Sequence, residues 1–381
     1  MLVDERRAEI LDRNYEMLIR TKARQTCNSP GKKRISIRRT GLRHLWRTAQ
    51  WVKYRLWPGA LILMYHRVTE LSNDPHWVAV TPKCFAEQMD VIRKYCIPIR
   101  LQELLKALQE RKIPKRTVVV TFDDGYLDNL HEAVPLLERY AIPATVFVTA
   151  GQVGSQRESW WDELDRLLLQ PGILPPELRL TINGNTFDFQ LNGSSTYTEQ
   201  DYRRDRDWNI AREDDPGPRQ YLFRKLLGVM STMTMQERDK IVEELTTWAG
   251  AELIARSTHR SLNIDELIRL QKCALIEVGA HTMTHPKLAN LPVVHQRSEI
   301  KQSKHVIETI VDRPVTSFAF PFGSNSRETV AIVRNEGFGC ACSTHADLVS
   351  RDTDCFQLPR LCVRDWDGES FTRWLRWWVN V

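Results

Sequence analysis

The sequence predicts an α/β fold: a parallel sheet, open or closed into a barrel, with helices between its strands. Two observations lead there. From Gly59 onward short apolar, β-branched runs alternate with longer amphipathic patterns. The runs are apolar at nearly every residue, as strands covered on both faces are. Taken in order, the strands are ALILM (60–64), TVVVTF (117–122), ATVFV (144–148), ALIEV (274–278), TSFAF (316–320) and a short run near 338–342. The helical patterns are 84–95, 101–112, 127–140, 263–273, 293–311 and 326–337, each with apolar residues three and four apart. In either architecture an active site sits at the carboxyl ends of the strands.

Residues 155–260 break the alternation and read as an insertion. They contain WWDELDRLLL, a hairpin turning at Asn183-Gly184, a polar stretch around 192–219 and two further helical patterns. The barrel domain is therefore expected over 59–381, with 1–58 as a separate basic extension, partly helical. That extension carries 15 Lys or Arg against 5 Asp or Glu, so the net charge of +6 belongs to it and the remainder is slightly acidic. Within it, GLRHLWRTAQWVKYRLW (41–57) sets Leu42, Leu45, Trp46 and Trp51 against Arg43, Arg47, Lys53 and Arg55. This pattern suits peripheral attachment to an anionic membrane surface, or equally a helix packed on the domain with its cations in water. No nucleic-acid module accompanies the charge, and no nucleic-acid partner is expected.

No stretch reaches the roughly 18 apolar residues of a membrane span, and charges fill the start where a signal peptide has its apolar region. The expectation is a cytoplasmic protein, at the inner face of the membrane if the basic helix attaches. The eight cysteines are scattered without a C-x-x-C pair and are expected to be reduced and mostly buried.

Two polar clusters follow directly on buried strands. Asp123 and Asp124 end TVVVTFDD, where like-charge repulsion and burial both oppose ionisation. His281 and His285, in AHTMTH, are four apart, which on a helical turn puts both imidazoles on one face about 5–6 Å apart at Cβ. A divalent cation held by Asp124, His281 and His285 resolves the repulsion and leaves Asp123 ionised beside it as a base. Three protein ligands match catalytic zinc, which lowers the pKa of water from about 15.7 toward 7. The plainer reading makes the two aspartates caps of a helix starting near Leu127, and the histidines part of a polar turn.

TFDDGY and HTMTH closely resemble the first two motifs of the NodB-homology polysaccharide deacetylases, carbohydrate esterase family 4. LMYHRV (63–68), FAFPFG (318–323) and LPRL (358–361) resemble the branch acting on exopolysaccharides and poly-N-acetylglucosamine. The resemblance spans about 61–371 apart from the insertion. It implies a distorted (β/α) barrel of about seven strands and metal-dependent removal of acetyl groups from an N-acetylated oligo- or polysaccharide or its lipid-linked precursor. It gives Asp123 as base and Asp124, His281 and His285 as ligands of one divalent ion, zinc first, with nickel, cobalt or iron as alternatives. The third motif, R-x-P-Y, reads AFPF here, with Ala319 for the arginine and Phe322 for the tyrosine. The backbone N–H of Phe322 can still meet the oxyanion.

Arg360 of LPRL either takes the missing arginine's part or forms an unrelated ion pair. The family's late histidine acid has no clear match. His345 in CSTHADL has the wrong neighbours, whereas His66 follows the first strand and faces the same rim, as acid or as a structural histidine. Trp160 and Trp161 could wall a sugar groove or fill a core, and Trp366 loosely matches the family's fourth motif. The competing function is a catalytically decayed glycan-binding or scaffold protein on the same fold, motivated by Ala319 and the uncertain acid.

Overall fold

A computed structural model of the chain describes residues 59–182, 184–252 and 254–379. The N-terminal extension with its basic stretch 41–57, and Asn183 of the expected hairpin turn, lie outside the described residues. Seven parallel strands form the centre: β1 (Leu61–Tyr65), β2 (Thr117–Phe122), β3 (Ala144–Val148), β4 (Ile276–Ala280), β5 (Ser317–Ala319), β6 (Cys340–Cys342) and β7 (Leu361–Cys362). Their spatial order is β6-β5-β4-β3-β2-β1-β7. The register sets Tyr65 beside Phe122, and Ala280 beside both Val148 and Phe318, so these strands end near one level.

The gap between β6 and β7 is bridged by the chain leading into β7. Leu358 N donates to Ala341 O at 2.9 Å, Ser343 N donates to Leu358 O at 2.8 Å, and three residues later Leu361 pairs with Leu63 of β1. A parallel strand set with helices around it thus closes into a distorted barrel.

Alternation along each strand creates two apolar layers. Leu61, Leu63, Val118, Val120, Val146 and Val278 face the surrounding helices, including α1 (Pro82–Tyr95) and α3 (Val134–Tyr140). Ile62, Val119, Phe147, Ala319, Cys340, Cys342 and Leu358 form a second cluster with α2 (Leu101–Gln109). Helix α2 has leucines at 101, 104, 105 and 108, one continuous stripe, and Glu103 accepts the Arg100 N–H at 2.8 Å to close its first turn. Gln102 bonds Glu277 and Thr316 at the amino ends of β4 and β5, so α2 stoppers the barrel at the end away from the carboxyl ends of the strands.

The insertion is a compact helical unit with a hairpin. It comprises α4 (Trp160–Leu168), antiparallel strands Glu177–Ile182 and Asn185–Gln190, and helices α5 (Glu199–Asp205), α6 (Pro218–Met230) and α7 (Met235–Ala249). Gly184 takes φ +76° at the hairpin turn, a conformation that costs glycine nothing. The unit has its own core, from Trp160, Leu164 and Leu168 to Leu222, Phe223, Leu226 and Val242. Arg256 ties its two ends, bonding Glu158 at 2.7 Å and Asp165 at 2.6 Å.

Helices α8 (Ile264–Lys272), α9 (Val293–Val311), α10 (Arg327–Asn335) and α11 (Gly368–Trp378) complete the fold. Two expectations shift. The fourth strand lies at 276–280 and not 274–278, because Gly279 belongs to the ladder: a Cβ there would stand 2.5 Å from the Phe147 ring. The pattern at 127–140 starts at Asn129 with a wider π-type turn before α3, since Asp128 is engaged by Arg67 and the Val68 N–H. Among the described residues no helix is long and apolar enough to cross a membrane.

Candidate active site

Both polar clusters lie at carboxyl ends of strands, β2 and β4, which flank β3 on its two sides. Asp123 continues the ladder, its N–H donating to Tyr65 O at 3.0 Å. Asp124 then turns to φ +73° and Gly125 to φ +76°, which sends the two consecutive carboxylates in different directions. His281 leaves β4 still bonded to the neighbouring β3, its N–H donating to Val148 O at 2.9 Å.

The histidine pair does not sit on a helical turn, contrary to the sequence expectation. Thr282 and His285 take φ +65° and +56°, and the Thr282 hydroxyl accepts the His285 N–H at 2.9 Å. The loop's backbone groups are used by neighbours: Thr282 O and Met283 O accept from Ala150 and Gly151, and Glu299 accepts from the Met283 and Thr284 N–H groups, both at 2.9 Å. Gly151 is required, because a Cβ there would meet Met283 O at 2.5 Å. With Phe322 at φ +55°, four non-glycine residues around one rim hold left-handed backbone, a conformation kept only where surroundings impose it.

The electrostatics separates the two aspartates. Burial alone would raise the Asp123 carboxyl, but Arg360, His281 and His66 outweigh it and hold it at about 2. Arg360 donates from Nη1 and Nη2 to the two Asp123 oxygens, 2.7 Å each, and is itself anchored on Ser343 O and Thr121 Oγ1. Asp124 has no such partner. Burial, then Asp123 and Asp162, push its carboxyl well above the usual range, and its Oδ1 is buried without a hydrogen bond. Burial also lowers both His281 and His285, keeping the imidazoles neutral. His281 Nδ1 donates to Ala319 O at 2.8 Å, which leaves Nε2 as a lone pair aimed at the aspartates.

These groups fit a divalent ion. His281 Nε2 and His285 Nε2 lie 3.7 and 3.4 Å from Asp124 Oδ1, and one ligand atom from each residue falls within 4.8 Å of the others. Two ligands each about 2.1 Å from one tetrahedral ion are about 3.4 Å apart. A neutral imidazole pair beside an unpartnered carboxylate oxygen is the donor set that zinc, nickel, cobalt or iron takes up.

The other residues singled out from sequence are placed as follows. His66 stands at the end of β1; burial is the largest effect on it and holds it at about 4, with Asp123 opposing and Arg360 adding to the depression. Its Nδ1 has no hydrogen bond, and Asn129 holds its carbonyl at 2.8 Å. Phe322 is 42% exposed, its ring 4.7 Å from that of His285. Trp160 and Trp161 are buried and belong to the insertion core. Trp161 lies 4.5 Å from the His285 ring, so it backs the imidazole and does not offer an open groove wall. The Trp366 ring rests on Trp374 of α11 at 5.2 Å, and the Trp366 carbonyl accepts from Gln88 Nε2 of α1 at 2.8 Å.

A hydrogen-bonded chain that sequence reading passed over completes the surroundings. Trp161 Nε1 donates to Tyr126 Oη and Tyr126 Oη to Asp162, each at 2.7 Å, while the Arg67 guanidinium covers the Tyr126 ring at 4.4 Å. Tyr126 adjoins the TFDDG motif, but only the fold brings Trp161 and Asp162 to it.

The family profile described as polysaccharide deacetylase matches residues 110–173 and 244–341. The two matched blocks carry both aspartates and both histidines. Over these blocks the chain is similar to the polysaccharide deacetylase family. The Bacillus subtilis protein YxkH, provisionally named a polysaccharide deacetylase, is 28% identical over 156 residues, 40% of this chain and 52% of the relative. A poly-beta-1,6-N-acetyl-D-glucosamine N-deacetylase of Staphylococcus epidermidis is 31% identical over 109 residues, 25% of this chain and 38% of the relative. The chain thus spans about half or less of the length of these curated relatives. Among solved structures, IcaB from Ammonifex degensii superposes with TM-score 0.52 at 18% identity, covering 84% of this chain and 96% of that one. The Streptococcus pyogenes deacetylase PplD gives 0.51 at 16% identity, covering 83% and 98%. At such identities the likeness concerns the fold: a (β/α) barrel of this distorted kind.

Proposed function

We propose that the protein is a metal-dependent hydrolase that removes acetyl groups from N-acetylated sugars of a polysaccharide or its lipid-linked precursor. The observation that carries this reading is the meeting of three ligand atoms within 4.8 Å beside a second carboxylate fixed by Arg360. Asp124, His281 and His285 would hold the ion, whose chemistry there is to acidify water and polarise the acetyl carbonyl. Asp123, ionised and held by two hydrogen bonds, accepts the proton of the attacking water. The backbone N–H of Phe322, a residue 42% exposed, serves the developing oxyanion. His66 supplies a proton to the departing amine; at a pKa of about 4 it starts neutral and has to be charged within the reaction cycle. The sugar class is supported by the N-acetylglucosamine polymer named for the staphylococcal relative. A cytoplasmic site of action, at the inner membrane face through residues 41–57, belongs to the same proposal.

The test is acetate release from N-acetylated oligosaccharides by protein stripped with a chelator and reloaded with zinc, cobalt or nickel. Activity is expected to vanish on stripping and return on loading. No release with any metal, while glycan binding persists, would favour the binding-protein alternative raised by Ala319. His66→Ala is expected to lower kcat by about 10²–10⁴-fold with little change in KM; an unchanged kcat removes His66 from the acid role.

A further inference from the structure

One corner of the insertion, between α6 and α7, grips the chain on both sides of His285. Ser231 O accepts the Lys287 N–H at 2.9 Å. Arg238 donates from Nη1 to Thr284 O and from Nη2 to Thr284 Oγ1, both at 2.8 Å. Between these grips His285 holds φ +56°, with Trp161, also of the insertion, against its ring. Thr284 is clamped from the barrel side as well, since Glu299 of α9 accepts its N–H at 2.9 Å and its hydroxyl at 2.7 Å. Arg238 is 2% exposed and sits over the Trp160 ring at 5.3 Å, so its guanidinium has one available orientation. Neither Ser231 nor Arg238 lies in the blocks that match the family, which leave out 174–243.

We infer that the insertion is a positioning device for the metal-binding loop, with Arg238 as its principal residue. By fixing Thr284 against Glu299, Arg238 sets the backbone from which the His285 imidazole reaches to within 3.4 Å of Asp124. The insertion is then a working part of the site and not an appended unit. The inference rests on the metal-site reading proposed above, and the test separates the two.

Full-length Arg238→Met, Arg238→Lys and Thr284→Val proteins are compared with the parent in two measurements. Zinc affinity is read by competition with a chromophoric chelator, and amide hydrogen exchange over 281–287 is read in the metal-free protein. Arg238→Met is expected to weaken zinc binding about 10–100-fold, the usual effect of losing a group that orients a ligand. It should also speed exchange at 283 and 284 while β2 and β3 stay protected. Arg238→Lys should regain part of the affinity, because an ammonium can serve one of the two acceptors. Parental zinc affinity and parental exchange in Arg238→Met, even with a lowered Tm, would overturn the inference and leave Arg238 as mere glue for the insertion. If Arg238→Met does not fold, Thr284→Val, which removes only the hydroxyl shared by Glu299 and Arg238, carries the same two outcomes. If the parent itself binds no zinc, the metal-site reading fails, and exchange at 283 and 284 in the metal-free proteins still decides the positioning role.

Discussion

Asp123→Asn is expected to lower acetate release by about 10²–10⁴-fold while zinc affinity stays at the parental level. The carboxylate lies outside the proposed ligand set: its nearer oxygen is 3.9 Å from His281 Nε2, and both its oxygens are occupied by Arg360. An amide of the same shape keeps the packing but cannot accept the water's proton, so chemistry is lost and the metal retained. His281→Ala should behave differently, losing activity and metal together, because it removes a ligand. Acetate release at saturating zinc, set beside chelator competition, separates the two variants. An Asp123→Asn protein that keeps most of its turnover would dismiss the base assignment.

Arg360→Met should be both inactive and unstable, and the instability should have a diagnostic pH dependence. Removing one partner of a buried ion pair costs about 3–5 kcal/mol, since the remaining charge has no compensation. In the parent, Asp123 at about 2 lies below its unfolded value near 3.8, so its contribution is full above 3.8 and is lost as the pH falls toward 2. Without the guanidinium, burial is left as the leading influence and drives the carboxyl above 3.8. The folded variant then binds the proton more tightly than the unfolded chain and is penalised as the pH rises. The stability deficit should therefore be largest near neutrality and shrink below about pH 4. Urea unfolding of both chelated proteins from pH 3 to 8 measures this; a deficit independent of pH would mean that Arg360 acts only through packing.

How much of this the sequence disclosed depends on how local each cause is. Thr117–Phe122, Ala144–Val148 and Val293–Val311 occur where the patterns place them, because a buried parallel strand and a long amphipathic helix each write their period into consecutive residues. Gly279 misled the reading of the fourth strand: glycine ordinarily ends a strand, but the ring of Phe147 takes the space of its missing side chain. The four-residue spacing of His281 and His285 suggested a helix, whereas Thr282, Glu299 and Arg238 hold a left-handed loop that reaches the same convergence another way. Asp124 and the two histidines were nameable because the cluster each belongs to begins directly after a buried strand. The role of Arg360 stayed open in the sequence, since its partner is 237 residues away and no pattern links them. Arg238 and Glu299 carried no signal at all, for a residue that holds the backbone of a ligand is marked only by tertiary contact. Trp160 and Trp161 were noticed for their size, and the fold uses them to build the insertion and to back His285.

The seam at Leu358 and β7 has a consequence for biogenesis. The guanidinium that pairs with Asp123 stands immediately before β7, the strand that lies beside β1, with nearly the whole domain between them in the chain. Contacts of such sequence separation form late, after loop-closure entropy has been overcome. A nascent polypeptide still short of residue 360 can assemble most of the hydrophobic interior yet lacks the group that keeps Asp123 charged and aimed. The ion pair of Asp123 with Arg360 thus forms only after residue 360 has been made, and a chain cut short before it would carry Asp123 in a largely built interior without its guanidinium partner.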